Sequence, residues 1–190
     1  MNREKILGAF RDILIEVSPP SLFRRPMFSL IKNLQENGSF PKDIVIVEIG
    51  SDLGINALNI CRSIKFKHLY LVDPYFEGYG HCDTGDERCI KAKKILGKKD
   101  NVTWLRITSE EASSYLDDND VTYIDGNHTY PYVKQDIELW YPKVKKNGII
   151  GGHDFCSTYQ GVTFAVTDFV TKNNLRDKLD GFGIDWWIRK

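Results

Sequence analysis

The sequence predicts an α/β fold: a doubly wound, mostly parallel sheet with an antiparallel C-terminal strand, preceded by an N-terminal helical arm. Three observations carry that prediction. From Ile44 onward, short apolar runs alternate with segments of helical periodicity over short connections. The first run, IVIVEIG (44–50), is continuous and β-branched, as a strand covered on both faces requires. The runs also end in carboxylates, imidazoles and glycines, and in a sheet of this kind ligands bind beyond the carboxyl ends of the strands.

The elements follow in order. REKILGAFRDILIEV places Ile6, Leu7, Phe10, Ile13, Leu14 and Val17 on one helical stripe, which Ser18-Pro19-Pro20 ends. A second helix carries Met27, Leu30, Ile31 and Leu34, with Gly38 as its left-handed C-terminal residue. These two helices form an arm over 1–40, and 41–190 form one α/β domain. After the first strand comes a helix with Ala57, Leu58, Cys61 and Ile64 on one face. KHLYLVDP is a second strand, ending in Asp73. ERCIKAKKIL reads as helix, VTWLRI as strand, SEEASSYL as a short helix and DVTYIDG as strand. YVKQDIELWYPKV sets Val133, Ile137, Trp140 and Val144 on one helical face, and NGIIGGHDF is a strand. GVTFAVTDFV sets Val162, Ala165, Val166, Phe169 and Val170 on another face. The tail turns at Gly181 to Gly183 and ends as two antiparallel strands.

Composition excludes some functions. Of 190 residues, 26 are Lys or Arg and 26 are Asp or Glu, a balance that argues against a nucleic-acid partner. The lysine-rich KAKKILGKK (91–99) reads as the wet face of a helix. No run of about 18 apolar residues occurs, so no membrane span is expected. The N-terminus lacks a signal-peptide core, and the expected location is the cytoplasm, with Cys61, Cys82, Cys89 and Cys156 as free thiols. His81, Cys82 and Cys89 lack the paired spacing of a structural zinc site.

The strand ends carry the chemistry. VEIGSDLG contributes Glu48, Gly50, Ser51 and Gly54: two glycines for a sharp turn, and an acid that suits a cationic ligand and repels phosphate. The GxGxxG dinucleotide fingerprint and the P-loop lysine are both absent. Asp73, ending the next strand, can accept the hydroxyls of a ribose. Ser109 opens the helix after the third strand, where a plain helix start and an adenine contact both fit. Asp125, Asn127 and His128 end the fourth strand, and Gly151, Gly152, His153 and Asp154 the fifth.

Taken together, Glu48-Ile-Gly-Ser-Asp-Leu-Gly54, Val72-Asp73-Pro74, Ile124-Asp-Gly-Asn-His128 and Gly151-Gly-His-Asp154 resemble class I S-adenosylmethionine-dependent methyltransferases, and the small O-methyltransferase-like group in particular. The resemblance runs from about Ile44 to Lys190 and implies a Rossmann-like sheet. It departs at Asp52, where many members have a second glycine, and at Tyr75, where Trp is usual. The implied cofactor is S-adenosylmethionine. Glu48, Gly50, Ser51 and Gly54 would face its methionyl end, Asp73 the ribose and Ser109 the adenine, with Asp125 at the border with the acceptor.

Methyl transfer requires an acceptor oxygen held about 3 Å from the methyl, in line, and relieved of its proton. A histidine, with an ordinary pKa of about 6.5, can take that proton, so His128 is the candidate base, with Asp125 beside it. A divalent cation can instead acidify the hydroxyl. Asp125 and Asp154 end neighbouring strands and suit Mg²⁺ or Mn²⁺, with His153 as a third ligand only if its strand has already ended there. The acceptor is a small hydroxylated molecule such as a sugar, phenol or secondary metabolite. Tyr75, Phe76 and Tyr79 would supply a stacking or lid surface. Trp186 and Trp187, as an exposed tail pair, would join the N-terminal helices in a homodimer interface. Two other readings stand beside this one: a nicotinamide-dependent oxidoreductase and a non-catalytic cofactor-binding module.

Overall fold

A computed structural model describes residues 25–76 and 84–190. The first predicted helix, Tyr79, His81 and Cys82 lie outside the described residues. The helices are α1 (Pro26–Glu36), α2 (Ile55–Ser63), α3 (Gly85–Leu96), α4 (Ser109–Tyr115), α5 (Tyr130–Trp140) and α6 (Gln160–Lys172). The strands are β1 (Val45–Ile49), β2 (His68–Val72), β3 (Val102–Leu105), β4 (Asn119–Ile124), β5 (Val144–Gly152), β6 (Leu179–Phe182) and β7 (Asp185–Arg189). They form one seven-stranded sheet in the order β3-β2-β1-β4-β5-β7-β6. β1 to β5 are parallel; β7 runs antiparallel between β5 and β6.

The sheet separates two apolar layers, and the period-2 alternation of the strands supplies both. Ile46, Leu69, Leu71, Val121, Tyr123 and Ile149 face α1 and α2. Val47, Val72, Ile124 and Ile150 face α5 and α6. Met27, Phe28 and Ile31 of α1 are fully buried, and the Phe28 ring lies 5.0 Å from that of Tyr123. α1 thus packs on the sheet as part of its cover.

Two expectations need correction. Val144 does not extend α5. The helix stops at Trp140, Pro142 has no N–H with which to continue its hydrogen bonds, and Val144 begins β5. Trp186 and Trp187 are not an exposed pair. β7 is interior to the sheet, so its neighbouring residues point to opposite faces and each tryptophan is buried in a different layer. Among the described residues no helix is long and apolar enough to cross a membrane.

Candidate active site

Strand order reverses between β1 and β4, and a cavity of about 950 Å³ opens where β1, β2 and β4 end. The turn after β1 is held by the backbone. Gly50 has φ +85°, and a Cβ there would stand 2.3 Å from the Asp125 carbonyl oxygen. The glycine is required by contact between the ends of β1 and β4, and it also lines the cavity. Gly54 N-caps α2 at φ +71°. A Cβ on it would meet Ala92 and Trp104, each at 3.4 Å, and Gly54 does not line the cavity.

Glu48 is 1% exposed and lines the cavity. Asn56 Nδ2 donates to its Oε1 at 2.8 Å, while Glu48 Oε2, Ser51 Oγ and Asn56 Oδ1 are buried without partners. Burial pushes the Glu48 carboxyl up to about 8, against the opposing pull of the Asn56 hydrogen bond. A cationic group in the cavity would meet a carboxylate with an unsatisfied oxygen. Asp73 is more fully partnered. Its Oδ2 accepts from the Asp52 N–H at 2.9 Å and its Oδ1 from the Tyr75 N–H at 2.8 Å. Each oxygen keeps lone-pair capacity for a vicinal diol.

Tyr75 is not a lid residue. Its ring is buried, its backbone turns at φ +54°, and its hydroxyl donates to the Asp52 carbonyl at 2.8 Å. Asp52, at φ +41°, is ion-paired with Arg88 of α3. Phe76 is exposed and remains available at the mouth. Thr108, not Ser109, caps α4 in a capping box with Glu111. Ser109 Oγ accepts from Trp140 Nε1 at 2.8 Å and bonds the Asp136 carboxyl. Asp136 lines the cavity and was missed from sequence, where it reads as one polar position of α5. Burial pushes its carboxyl up to about 6, with Ser109 opposing.

At the other end, Asp125, His128 and Asp154 offer ligand atoms within 4.8 Å of one another. His128 Nε2 lies 2.9 Å from Asp154 Oδ2 and 3.7 Å from Asp125 Oδ1. That nitrogen is buried yet makes no aligned hydrogen bond. The carboxylates of Asp125 and Asp154 push the imidazole up to about 9, and the distances make Asp154 the closer partner. Burial works against ionising Asp154, but His128, His153 and Arg25 together outweigh it, so its carboxyl is held below the ordinary range. The His128 ring packs on Tyr159, with centroids 4.7 Å apart. Two carboxylates and an imidazole whose buried nitrogen faces both of them fit a hard divalent cation.

His153 does not join this cluster as the sequence led us to expect. Its Nδ1 bonds Asp185 Oδ1 at 2.6 Å, and its Nε2 contacts the Arg25 guanidinium. The physical reason is that both ring nitrogens are engaged, Nδ1 by Asp185 and Nε2 by Arg25, although Asp154 Oδ1 lies 3.7 Å from that same Nε2. His128 takes the third place. Arg25 was also missed; it lines the cavity and donates from Nη2 to Asp125 Oδ2 at 3.0 Å.

Residues 47–155 match a family described as a methyltransferase domain, over more than half of the chain. The chain belongs to that family. Its sheet is the Rossmann-like sheet of the class I methyltransferases. Among solved structures it resembles the O-methyltransferase NovP, with TM-score 0.65 and 15% identity over 96% of this chain and 98% of that one. It also resembles a methyltransferase from Streptococcus mutans in complex with SAH, with TM-score 0.62 and 14% identity over 88% of this chain and 99% of that one. At such identities the likeness shows the fold. An uncharacterised protein of Acanthamoeba polyphaga mimivirus is 30% identical over 67% of this chain and 58% of its own length. This methyltransferase thus spans little more than half of that relative. The matched segment stops beside Asp154; α6, β6 and β7 complete the sheet beyond it.

Proposed function

We propose that this methyltransferase transfers a methyl group to a hydroxyl of a small acceptor, such as a sugar, phenol or secondary metabolite, with a divalent cation held by Asp125, His128 and Asp154. The observation that carries the reading is the meeting of these three donors, two of which, Asp125 and His128, line the same cavity as Glu48 and Asp73. The likeness to NovP, an O-methyltransferase, and to CalS11, a TDP-rhamnose 3'-O-methyltransferase with TM-score 0.61, supports the choice of oxygen as acceptor atom. MycE, with TM-score 0.57, was solved with Mg and SAH, which supports the pairing of a cation with this cofactor.

S-adenosylmethionine supplies an electrophilic methyl on a sulfonium cation. In this reading the Glu48 carboxylate and the Ser51 and Asn56 side chains receive its methionyl end, and Asp73 accepts the two ribose hydroxyls. Asp136 and Ser109 border the adenine. A bound Mg²⁺ or Mn²⁺ supplies a Lewis acid that lowers the pKa of an acceptor hydroxyl. Asp125 and Asp154 provide its hard anionic ligands and His128 the nitrogen. His128 is then a ligand, which replaces the general-base role read from sequence. Tyr159, packed on that ring, walls the acceptor side.

The test is transfer of labelled methyl to a panel of sugars, catechols and phenols, with and without chelator, alongside calorimetric binding of S-adenosylhomocysteine. The expected result is transfer abolished by chelator and restored by Mn²⁺ or Mg²⁺, with cofactor affinity unchanged. Full transfer in chelator would remove the metal from the reading.

A further inference from the structure

A second set of polar groups lies directly behind the acidic cluster. Asp185, at the start of β7, has a fully buried side chain. It accepts from the Met27 N–H at 3.0 Å, from the Tyr123 hydroxyl at 3.1 Å and from His153 Nδ1 at 2.6 Å. A carboxylate with three donors is fixed in place. It also fixes the His153 tautomer, because a proton on Nδ1 leaves Nε2 as a lone pair. That lone pair faces Arg25 Nη1. Arg25 Nη2 in turn donates to Asp125 Oδ2 at 3.0 Å. The oxygen left over, Oδ1, is the one that faces His128 Nε2 at 3.7 Å.

We propose that Asp185, His153 and Arg25 form a positioning chain that occupies Oδ2 of Asp125 and turns Oδ1 toward His128 and Asp154. The chain rests on the metal reading above and deepens it. A carboxylate free to rotate would present either oxygen, or both, to a cation. With one oxygen held by a guanidinium, Asp125 offers the cation a single oxygen in a defined direction. Arg25 is a long side chain of many rotamers, and it holds one geometry because His153 grips its other terminal nitrogen. His153 therefore acts through Arg25 rather than on the cation. The arrangement follows the general rule that ligating carboxylates are themselves hydrogen-bonded, and that loss of such support weakens metal sites by about 10–100-fold.

The chain also spans the fold. Asp185 lies on β7, His153 follows β5, Arg25 precedes α1, and Asp125 follows β4. One line of contacts thus joins the last strand, the first described helix and the centre of the sheet to one ligand atom. Arg25 and Asp125 are 100 positions apart, and Arg25 and His153 are 128 apart.

The test is the affinity for Mn²⁺, measured by electron paramagnetic resonance without acceptor, for wild type, Arg25→Met, His153→Leu and the double variant. S-adenosylhomocysteine affinity serves as the check on folding. The expected result is that each single variant binds Mn²⁺ about tenfold more weakly or worse, and that the double variant is no weaker than the worse single, as links in series require. Wild-type Mn²⁺ affinity in Arg25→Met, or a tighter one, would overturn the chain and make Arg25 a bystander or a competing cation. Losses that multiply in the double variant would also overturn it, because His153 would then act on the metal independently. If His153→Leu loses cofactor binding through misfolding, Arg25→Lys decides. It keeps the charge but cannot fork to both partners, so Mn²⁺ affinity must still fall; wild-type affinity there refutes the chain. Wild type binding no Mn²⁺ would sink the metal reading together with this one, whereas binding by wild type with an unaffected Arg25→Met sinks this one alone.

Discussion

Glu48→Gln should stabilise the protein and weaken its hold on the cofactor, two effects of opposite sign from one atom. Glu48 is fully buried with one oxygen unpartnered, and burial pushes its carboxyl from 4.5 up to about 8. At pH 7 the folded protein therefore holds a proton that the unfolded chain has released. The working pH is about 2.5 units above the ordinary value, and at roughly 1.4 kcal/mol per unit the burden is about 3 kcal/mol. The sign follows from proton linkage. A group whose pKa is raised on folding stabilises fully below its unfolded value, and that stability is lost as pH rises through the folded value, here from 4.5 to about 8. Glutamine keeps the oxygen that receives the Asn56 hydrogen bond and carries no proton to retain. The variant should match wild type near pH 5 and exceed it by up to about 3 kcal/mol at pH 7, or roughly 6–12 °C in melting temperature for a chain of this size. Thermal unfolding from pH 5 to 8 measures this. Two stability curves that stay parallel across that range would refute the argument, because Glu48 would then be ionised in the folded state. In the same variant, affinity for S-adenosylmethionine should fall tenfold or more by calorimetry, since a cation can draw the proton from Glu48 and gain a carboxylate but cannot do so with glutamine.

Three further outcomes are expected. Asp73→Ala should weaken S-adenosylhomocysteine binding by about 1–3 kcal/mol, and an unchanged calorimetric affinity would take Asp73 out of the ribose site. Gly50→Ala should lower the urea midpoint by more than about 2 kcal/mol of stability, because its Cβ would collide with the Asp125 carbonyl at a φ that favours glycine. A fully stable Gly50→Ala with impaired cofactor binding would instead make the glycine a ligand-facing residue. Asp154→Asn should reduce Mn²⁺ affinity at least tenfold while leaving S-adenosylhomocysteine affinity in place, and retained Mn²⁺ binding would remove Asp154 from the ligand set.

Much of this was legible because it is local. The β-branched run through Ile46 and Val47 and the stripe of Val133, Ile137 and Trp140 follow directly from periodicity. Asp73 and Asp125 were found because each closes its own strand. What escaped was long-range or turned on a single dihedral. Arg25 belongs to the site only because α1 packs over β4 and β7, a fact with no local signal. Asp185 was hidden for the same reason, as the first residue of the last strand. The exchange of His153 for His128 depended on Asp185 and Arg25, which engage both nitrogens of the His153 ring from distant parts of the chain. The tryptophans misled because a paired aromatic tail looks like surface until β6 is seen to flank β7 on its outer side.

β7 is the last of the seven strands to leave the ribosome, yet it fills an interior slot between β5 and β6. Until it emerges, β5 presents an open edge to the crowded environment around the nascent chain. Asp185, which grips His153 and the backbone of Met27, arrives with it. The proposed ligands at the ends of β1, β2, β4 and β5 are synthesised before it, and the proposed chain from Asp185 through His153 and Arg25 to Asp125 is complete only once that strand is in place. Translation order therefore leaves the β5 edge open until the last strand of the sheet arrives to cover it.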